Sequence, residues 1–162
     1  MRLRTETADD TRALGSRVAA LLRAGDLVVL SGDLGAGKTT FTQGLGAALG
    51  VRGDVTSPTF VISRVHPSLV GGPALVHVDA YRLEGVAELD DLDLDTSLED
   101  AVTVVEWGTG VAEGLAENRL EVEILRPHGD AAHETVGDTG ARSVQVTGIG
   151  PRWVDADLDA LD

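Results

Sequence analysis

The pattern Gly32-x-x-x-x-Gly37-Lys38-Thr39 lies between an apolar run of strand length, 27–30, and a helical pattern that runs to Leu49. Few local sequences restrict a chain as much. Glycines let the backbone turn tightly enough for successive N–H groups to point into one hollow, and the following helix begins there with unpaired amides and its positive dipole end. The hollow suits an anion, and in this context the motif is that of the phosphate-binding loop of nucleotide-binding proteins. Lys38, the only lysine of the chain, is placed to reach the outer phosphates. The Thr39 hydroxyl is placed to take one position in the octahedral shell of Mg²⁺, the rest being phosphate oxygens and water. The competing reading is a glycine-rich turn that merely joins strand to helix. With 20 glycines in 162 residues, two glycines and a Ser/Thr reach these offsets around one lysine by chance only about 2 times in 1,000. Phe41, Leu45, Ala48 and Leu49 recur at i, i+4, i+7 and i+8, giving the helix one apolar face to lay on a sheet.

A chain of 162 residues, 43% hydrophobic, is the size of one domain with a real core. Residues 1–153 are expected to form it, with 154–162 as an acidic tail that little holds in place. No apolar run approaches the length needed to cross a bilayer, and the N-terminal ten residues lack a secretory apolar stretch. The expectation is a cytoplasmic protein with no membrane partner. Cysteine is absent, which excludes disulfides and thiolate metal sites. The formal charge of −14 argues against holding DNA or RNA alone, since phosphate backbones are bound by basic surfaces. It fits a basic protein partner, or simply solubility.

Along the chain, Leu3 starts an expected edge strand, and Thr7 with Asp10 three residues later reads as a helix N-cap and its partner. Leu14, Val18, Leu21 and Leu22 make the first helical stripe, and Gly50 is the expected stop of the second helix. Residues 60–66 and 75–79 read as strands joined by a Gly- and Pro-rich turn, too short a link for anything but an antiparallel pair. The acidic stretch 84–100, with Leu89, Leu92, Leu94 and Leu98, predicts one or two short helices. Residues 101–105 read as a buried strand and 108–118 as a loop and short helix. Residues 120–125 and 143–149 alternate apolar and polar, a terminal hairpin around the polar loop 126–141. The fold class is α/β: a P-loop NTPase fold with a mixed, mostly parallel sheet, helices on both faces and a C-terminal β-hairpin.

Magnesium and an attacking water need a carboxylate near the loop, normally at the end of a neighbouring apolar strand. Asp79 and Glu106 both stand at such a position, though acids there also serve as plain strand terminators. Thr56-Ser57-Pro58-Thr59 reads as a switch segment that brings a hydroxyl to the γ-phosphate, or as an ordinary Pro-containing connection. Arg82 is a candidate for neutralising transition-state charge, with a plain surface arginine as the default. Trp107 either shields the site or fills the core. Guanine-reading Asn-Lys-x-Asp is unsupported, because the single lysine is already used; a transporter-type LSGGQ signature is missing, and the chain is too small for a helicase core.

Together, Gly32-Asp33-Leu34-Gly35-Ala36-Gly37-Lys38-Thr39-Thr40-Phe41, Ser57-Pro58-Thr59-Phe60, His77-Val78-Asp79-Ala80-Tyr81-Arg82-Leu83 and Val105-Glu106-Trp107 resemble, in order and spacing, the TsaE (YjeE) family. These are bacterial ATPases of tRNA threonylcarbamoyladenosine synthesis. The resemblance runs from about the first helix to Trp153 and implies a small ATPase, weak by itself, that binds the TsaB–TsaD pair and uses ATP with Mg²⁺ to reset it between turnovers. Transfer RNA is then met only through that complex. By motif, Asp33, Leu34, Gly35, Ala36, Gly37, Lys38, Thr39 and Thr40 hold ATP or ADP, Glu106 completes the metal site with Thr39, Asp79 is needed for hydrolysis, and Thr59 is the switch residue. Trp107 belongs to the family's Glu-Trp pair. Adenine is expected near Thr7, with Arg142 a further candidate contact. Two other readings use the same loop: a small-molecule kinase, which normally carries an arginine-rich lid not visible here, and a nucleotide-gated assembly factor.

Overall fold

Thr7 supplies the start signal of the first helix: its side chain accepts from the Asp10 amide, and the Asp10 carboxylate accepts from the Thr7 amide, a complete capping box. Before it, β1 (Arg2–Thr5) is an edge strand, and the helix itself, α1, spans Ala8–Leu21. The structure is a computed structural model in which residues 1–33, 35–56, 63–80, 99–106, 116–126 and 140–162 are described. After a turn, β2 (Leu27–Ser31) is buried along four of its five residues, and α2 (Lys38–Leu49) ends on Gly50, whose left-handed φ of 70° closes the helix. Then come β3 (Ser63–His66), β4 (Ala74–Asp79), β5 (Ala101–Glu106), β6 (Arg119–Leu125) and β7 (Arg142–Ile149).

These strands form one seven-stranded sheet in the order β1-β7-β6-β2-β5-β4-β3. The four central strands run parallel, and antiparallel partners flank them: β3 beside β4, and the expected β6–β7 hairpin with β1 outside it. Strand β5 is buried at every residue, as a central parallel strand must be. Alternation divides the sheet into two faces. Val28, Leu30, Leu75, Val102, Val104, Leu120, Val122, Val144 and Val146 face α1 and α2, whereas Leu27, Val29, Val76, Val78 and Val105 form a separate buried cluster on the other face.

Among the described residues both α-helices cover the first face only. The helices expected within 84–100 and 108–118 lie largely outside the described residues. The face of α2 also differs from its apolar stripe: Phe41, Leu45 and Leu49 are buried but Ala48 is exposed, and Gly44 and Gly46 take its place. Gly46 lies against the side chains of Val55, Leu75 and Val51, while for Gly44 the reason is helix-to-helix approach. A Cβ on Gly15 would strike the Phe41 carbonyl and one on Gly44 the Arg12 carbonyl, so glycines let α1 and α2 touch backbone to backbone.

The C-terminal residues are not loosely held, contrary to the expectation for 154–162. They form 3₁₀ turns at Pro151–Trp153 and Leu158–Leu161, Leu161 is 1% exposed within the core, and Arg17 donates to its carbonyl at 3.0 Å. The acidic composition concealed two apolar anchors, Trp153 and Leu161, spaced so that the intervening aspartates face solvent.

Candidate functional site

The C-terminal ends of β2, β5 and β4 line up as a row, Leu30 beside Glu106 and Glu106 beside Asp79. Strand parity then decides which way the acids point. Glu106 shares its face with Val102 and Val104, and Asp79 shares its face with Leu75, so both are directed to the side on which α2 begins.

Between β2 and α2 the glycine loop turns with φ of 147° at Gly32, 74° at Gly35 and 109° at Gly37, values that a side chain would strain. Gly37 is the N-cap of α2, so no side chain occupies the first amides of that helix. A Cβ at Gly32 would collide with the Ile124 carbonyl, which fixes the loop against β6. Lys38 is buried and folds back over the loop, donating to the carbonyls of Gly32 at 2.6 Å and Asp33 at 2.9 Å. Burial pulls its pKa below the ordinary lysine value, while the carboxylates of Glu106, Asp33 and Asp79 act in the opposite sense and favour the charged form. A buried cation beside the first amides of a helix, with carboxylates acting on it, is an arrangement able to neutralise a polyanion and a divalent ion together.

Two arginines brace the loop from behind. Arg142, buried at the start of β7, donates from Nε to the Ala36 carbonyl at 2.8 Å and from Nη2 to Gly35 at 3.4 Å. Arg126, just after β6, donates from Nε and Nη2 to the Gly35 carbonyl at 3.2 and 3.0 Å. The hairpin register Leu125↔Ser143 brings both to the same end of the sheet. Beside the loop a cavity of about 340 Å³ is lined by Ala8, Thr11, Gly35, Ala36, Gly37, Thr40, Gly140 and Arg142. That size falls in the range of small-molecule pockets, roughly 300–1,000 Å³.

A family model described as threonylcarbamoyl adenosine biosynthesis protein TsaE matches residues 5–134. The chain belongs to the TsaE family. It is 64% identical over 151 residues to the tRNA threonylcarbamoyladenosine biosynthesis protein TsaE of Streptomyces coelicolor, covering 93% of this chain and 98% of that one. To the Bacillus subtilis protein of the same name it is 38% identical over 143 residues, 88% of each chain. The crystal structure of YdiB from Bacillus subtilis superposes with a TM-score of 0.67 at 32% identity, covering 94% of this chain and 88% of that one.

In this member of the TsaE family the loop residues Asp33, Gly35, Ala36 and Gly37, with Lys38, Thr39 and Thr40, stand together with Asp79 and Glu106 at one end of the sheet. Leu34, Thr59, Arg82 and Trp107 lie outside the described residues. Thr7 adjoins the cavity, close to Gly140, but its hydroxyl is committed to capping α1; Thr11, one helical turn on, lines the cavity instead. Thr11 is buried and its Oγ1 lies 2.9 Å from that of Thr5. The sequence reading missed Thr11, Gly140 and Arg126, since nothing local distinguishes them. It quoted His77 within the motif but gave it no role, although the signal was present: a histidine among valines in a strand otherwise wholly apolar up to Asp79. Among the described residues no three His, Cys, Asp or Glu side chains cluster as a cage for a metal ion, and no helix is long and apolar enough to cross a membrane.

Proposed function

We propose that this chain is an ATP-binding, weakly hydrolysing accessory ATPase required for threonylcarbamoyladenosine modification of tRNA, acting on the TsaD–TsaB complex so that it turns over repeatedly. The observation that carries this reading is the convergence of the Lys38 loop with the strand-end carboxylates Glu106 and Asp79, in a chain that belongs to the TsaE family.

The amides of Gly35 to Thr40 and the Lys38 ammonium bind the β- and γ-phosphates, the lysine exchanging its two backbone carbonyls for phosphate oxygens. The base enters the cavity beside Thr11 and Arg142. The donors available for a metal are hard oxygens, the Thr39 hydroxyl and the buried Glu106 carboxylate. They fit Mg²⁺, which keeps most of its shell as phosphate and water and needs no protein cage. When bound, that ion supplies neutralisation of the charge developing on the transferred phosphoryl group. Asp79, next to Glu106 in register, orients the attacking water and accepts its proton. Turnover is slow alone, and the TsaD–TsaB pair completes or orders the site.

The test is ATP hydrolysis by the purified protein, alone and with TsaD, TsaB and tRNA, with Lys38→Ala as control. A rate that is low alone, rises with the pair and disappears in the variant is expected. If the pair changes nothing and a small metabolite takes up the γ-phosphate, the kinase reading replaces this one.

A further inference from the structure

The structure assigns to His77 the positioning of Glu106, the carboxylate on the metal side of the proposed nucleotide site. On β4 the residues Leu75, His77 and Asp79 share one face, and the neighbouring strand places Val104 beside His77 and Glu106 beside Asp79. From there the Glu106 side chain reaches back by one residue pair, and His77 Nε2 meets its Oε1 at 2.9 Å. Histidine is 0% exposed and the glutamate 4%. An ionised carboxylate only accepts, so Nε2 carries the hydrogen and donates.

What separates this pair from ordinary core polarity is the other ring nitrogen. Nδ1 is buried and has no hydrogen-bond partner among the described residues. A polar ring between Val76 and Val78, with one nitrogen orphaned, is a poorer way to fill a strand than valine or leucine. The single bond the ring does make fixes the rotamer of Glu106. With Oε1 held, the orientation of the carboxylate is fixed, and its charge acts on Lys38 of the loop. Outer partners that orient a metal-side carboxylate change metal affinity or activity by about 10–100-fold when removed.

This inference rests on the reading of Glu106 as the metal-side carboxylate. It is tested through the gain in affinity for a fluorescent ATP analogue that Mg²⁺ confers, the ratio of dissociation constants in EDTA and in saturating Mg²⁺. His77→Gln carries an amide nitrogen where Nε2 stood, whereas His77→Asn carries it near Nδ1, short of Glu106; the two are equally polar. Both, with His77→Leu, are compared with Glu106→Gln, and unfolding without nucleotide reports any loss of folding. The expected result is a Mg²⁺ gain reduced about 10-fold or more in the Asn and Leu variants, kept within about 3-fold in the Gln variant, and unchanged affinity in EDTA for all. Equal losses in Gln and Asn, or an undiminished gain in Asn, would overturn the role of His77 while Glu106→Gln still lowers the gain. If Glu106→Gln leaves the gain intact, the metal-side reading of Glu106 fails, and the inference with it.

Discussion

Replacing Arg152 by alanine removes a tie that joins the C-terminal turn to the entrance of β2. Its guanidinium grips Asp26 with two bonds, Nε to Oδ1 at 3.1 Å and Nη2 to Oδ2 at 2.9 Å, and Nη2 also donates to the Leu21 carbonyl at 2.8 Å. The ring of Trp153 lies 4.3 Å from the guanidinium carbon. Asp26 has a side chain only 6% exposed and that of Arg152 is 17% exposed, so solvent screens this pair little. Truncating one member of such a pair leaves a buried charge behind, which costs about 3–5 kcal/mol. Asp26 retains one bond, from the Arg23 amide at 2.8 Å, so the lower end, about 3 kcal/mol, is expected. For a chain of this length that corresponds to a fall in Tm of about 6–12 °C. The assay is thermal and urea unfolding of Arg152→Ala, Asp26→Ala and the double variant. The double variant should lose less than the sum of the singles, because each alone strands its partner. A loss in Arg152→Ala no larger than in Arg4→Ala, an arginine paired with Glu6 on the open surface, would refute the reasoning. Additivity of the two losses would do the same.

Leu161→Ala should destabilise by about 2–3 kcal/mol despite standing next to the last residue, because the side chain is 1% exposed in the core; an unfolding midpoint equal to wild type would mean the last turn is not docked. Gly44→Ala should cost about 1–3 kcal/mol by driving a methyl into the Arg12 carbonyl and prising α1 from α2, read as a lower urea midpoint; a neutral result would show that the helices do not approach so closely. His66 gives a pH dependence. Burial, foremost, pulls its pKa below 6.5, with His77 and Arg64 adding to the effect and the Arg52 carbonyl opposing it. The folded state thus refuses a proton that the unfolded chain accepts, so this contribution is complete above pH 6.5 and is lost as pH falls from there toward the folded value. Between pH 7.5 and 5.5, on the order of the titration range of histidine, Tm should fall more steeply for wild type than for His66→Gln. Parallel curves would remove His66 as the cause.

How much of this was legible depended on whether the cause was local. The glycine loop, the Thr7–Asp10 capping box and the Gly50 stop are fixed by neighbours three to five residues away, and periodicity exposes them. Strand β5 was readable because a central parallel strand has no wet face to interrupt its apolar run, and β6 and β7 because each has one. Pairings across long separations left no local trace. Asp26 and Arg152 stand 126 positions apart, and Arg142 and the Ala36 carbonyl 106 apart. The Arg142 case shows what that does to a site reading. In sequence the residue is no more than a candidate for a base contact, and its donation to the Ala36 and Gly35 carbonyls has no local sign; the nearby Thr11 attracts no notice because a threonine inside an amphipathic helix looks like any other polar residue. His77 is the opposite case. Composition marked it, since a histidine amid Leu75, Val76 and Val78 breaks a buried strand, but only the register of β4 against β5 shows that it is aimed at Glu106. A polar residue that interrupts an apolar parallel strand one alternation before a strand-end acid therefore deserves to be read together with the acid of the adjacent strand. In a parallel pair, that neighbour lies within reach of its side chain.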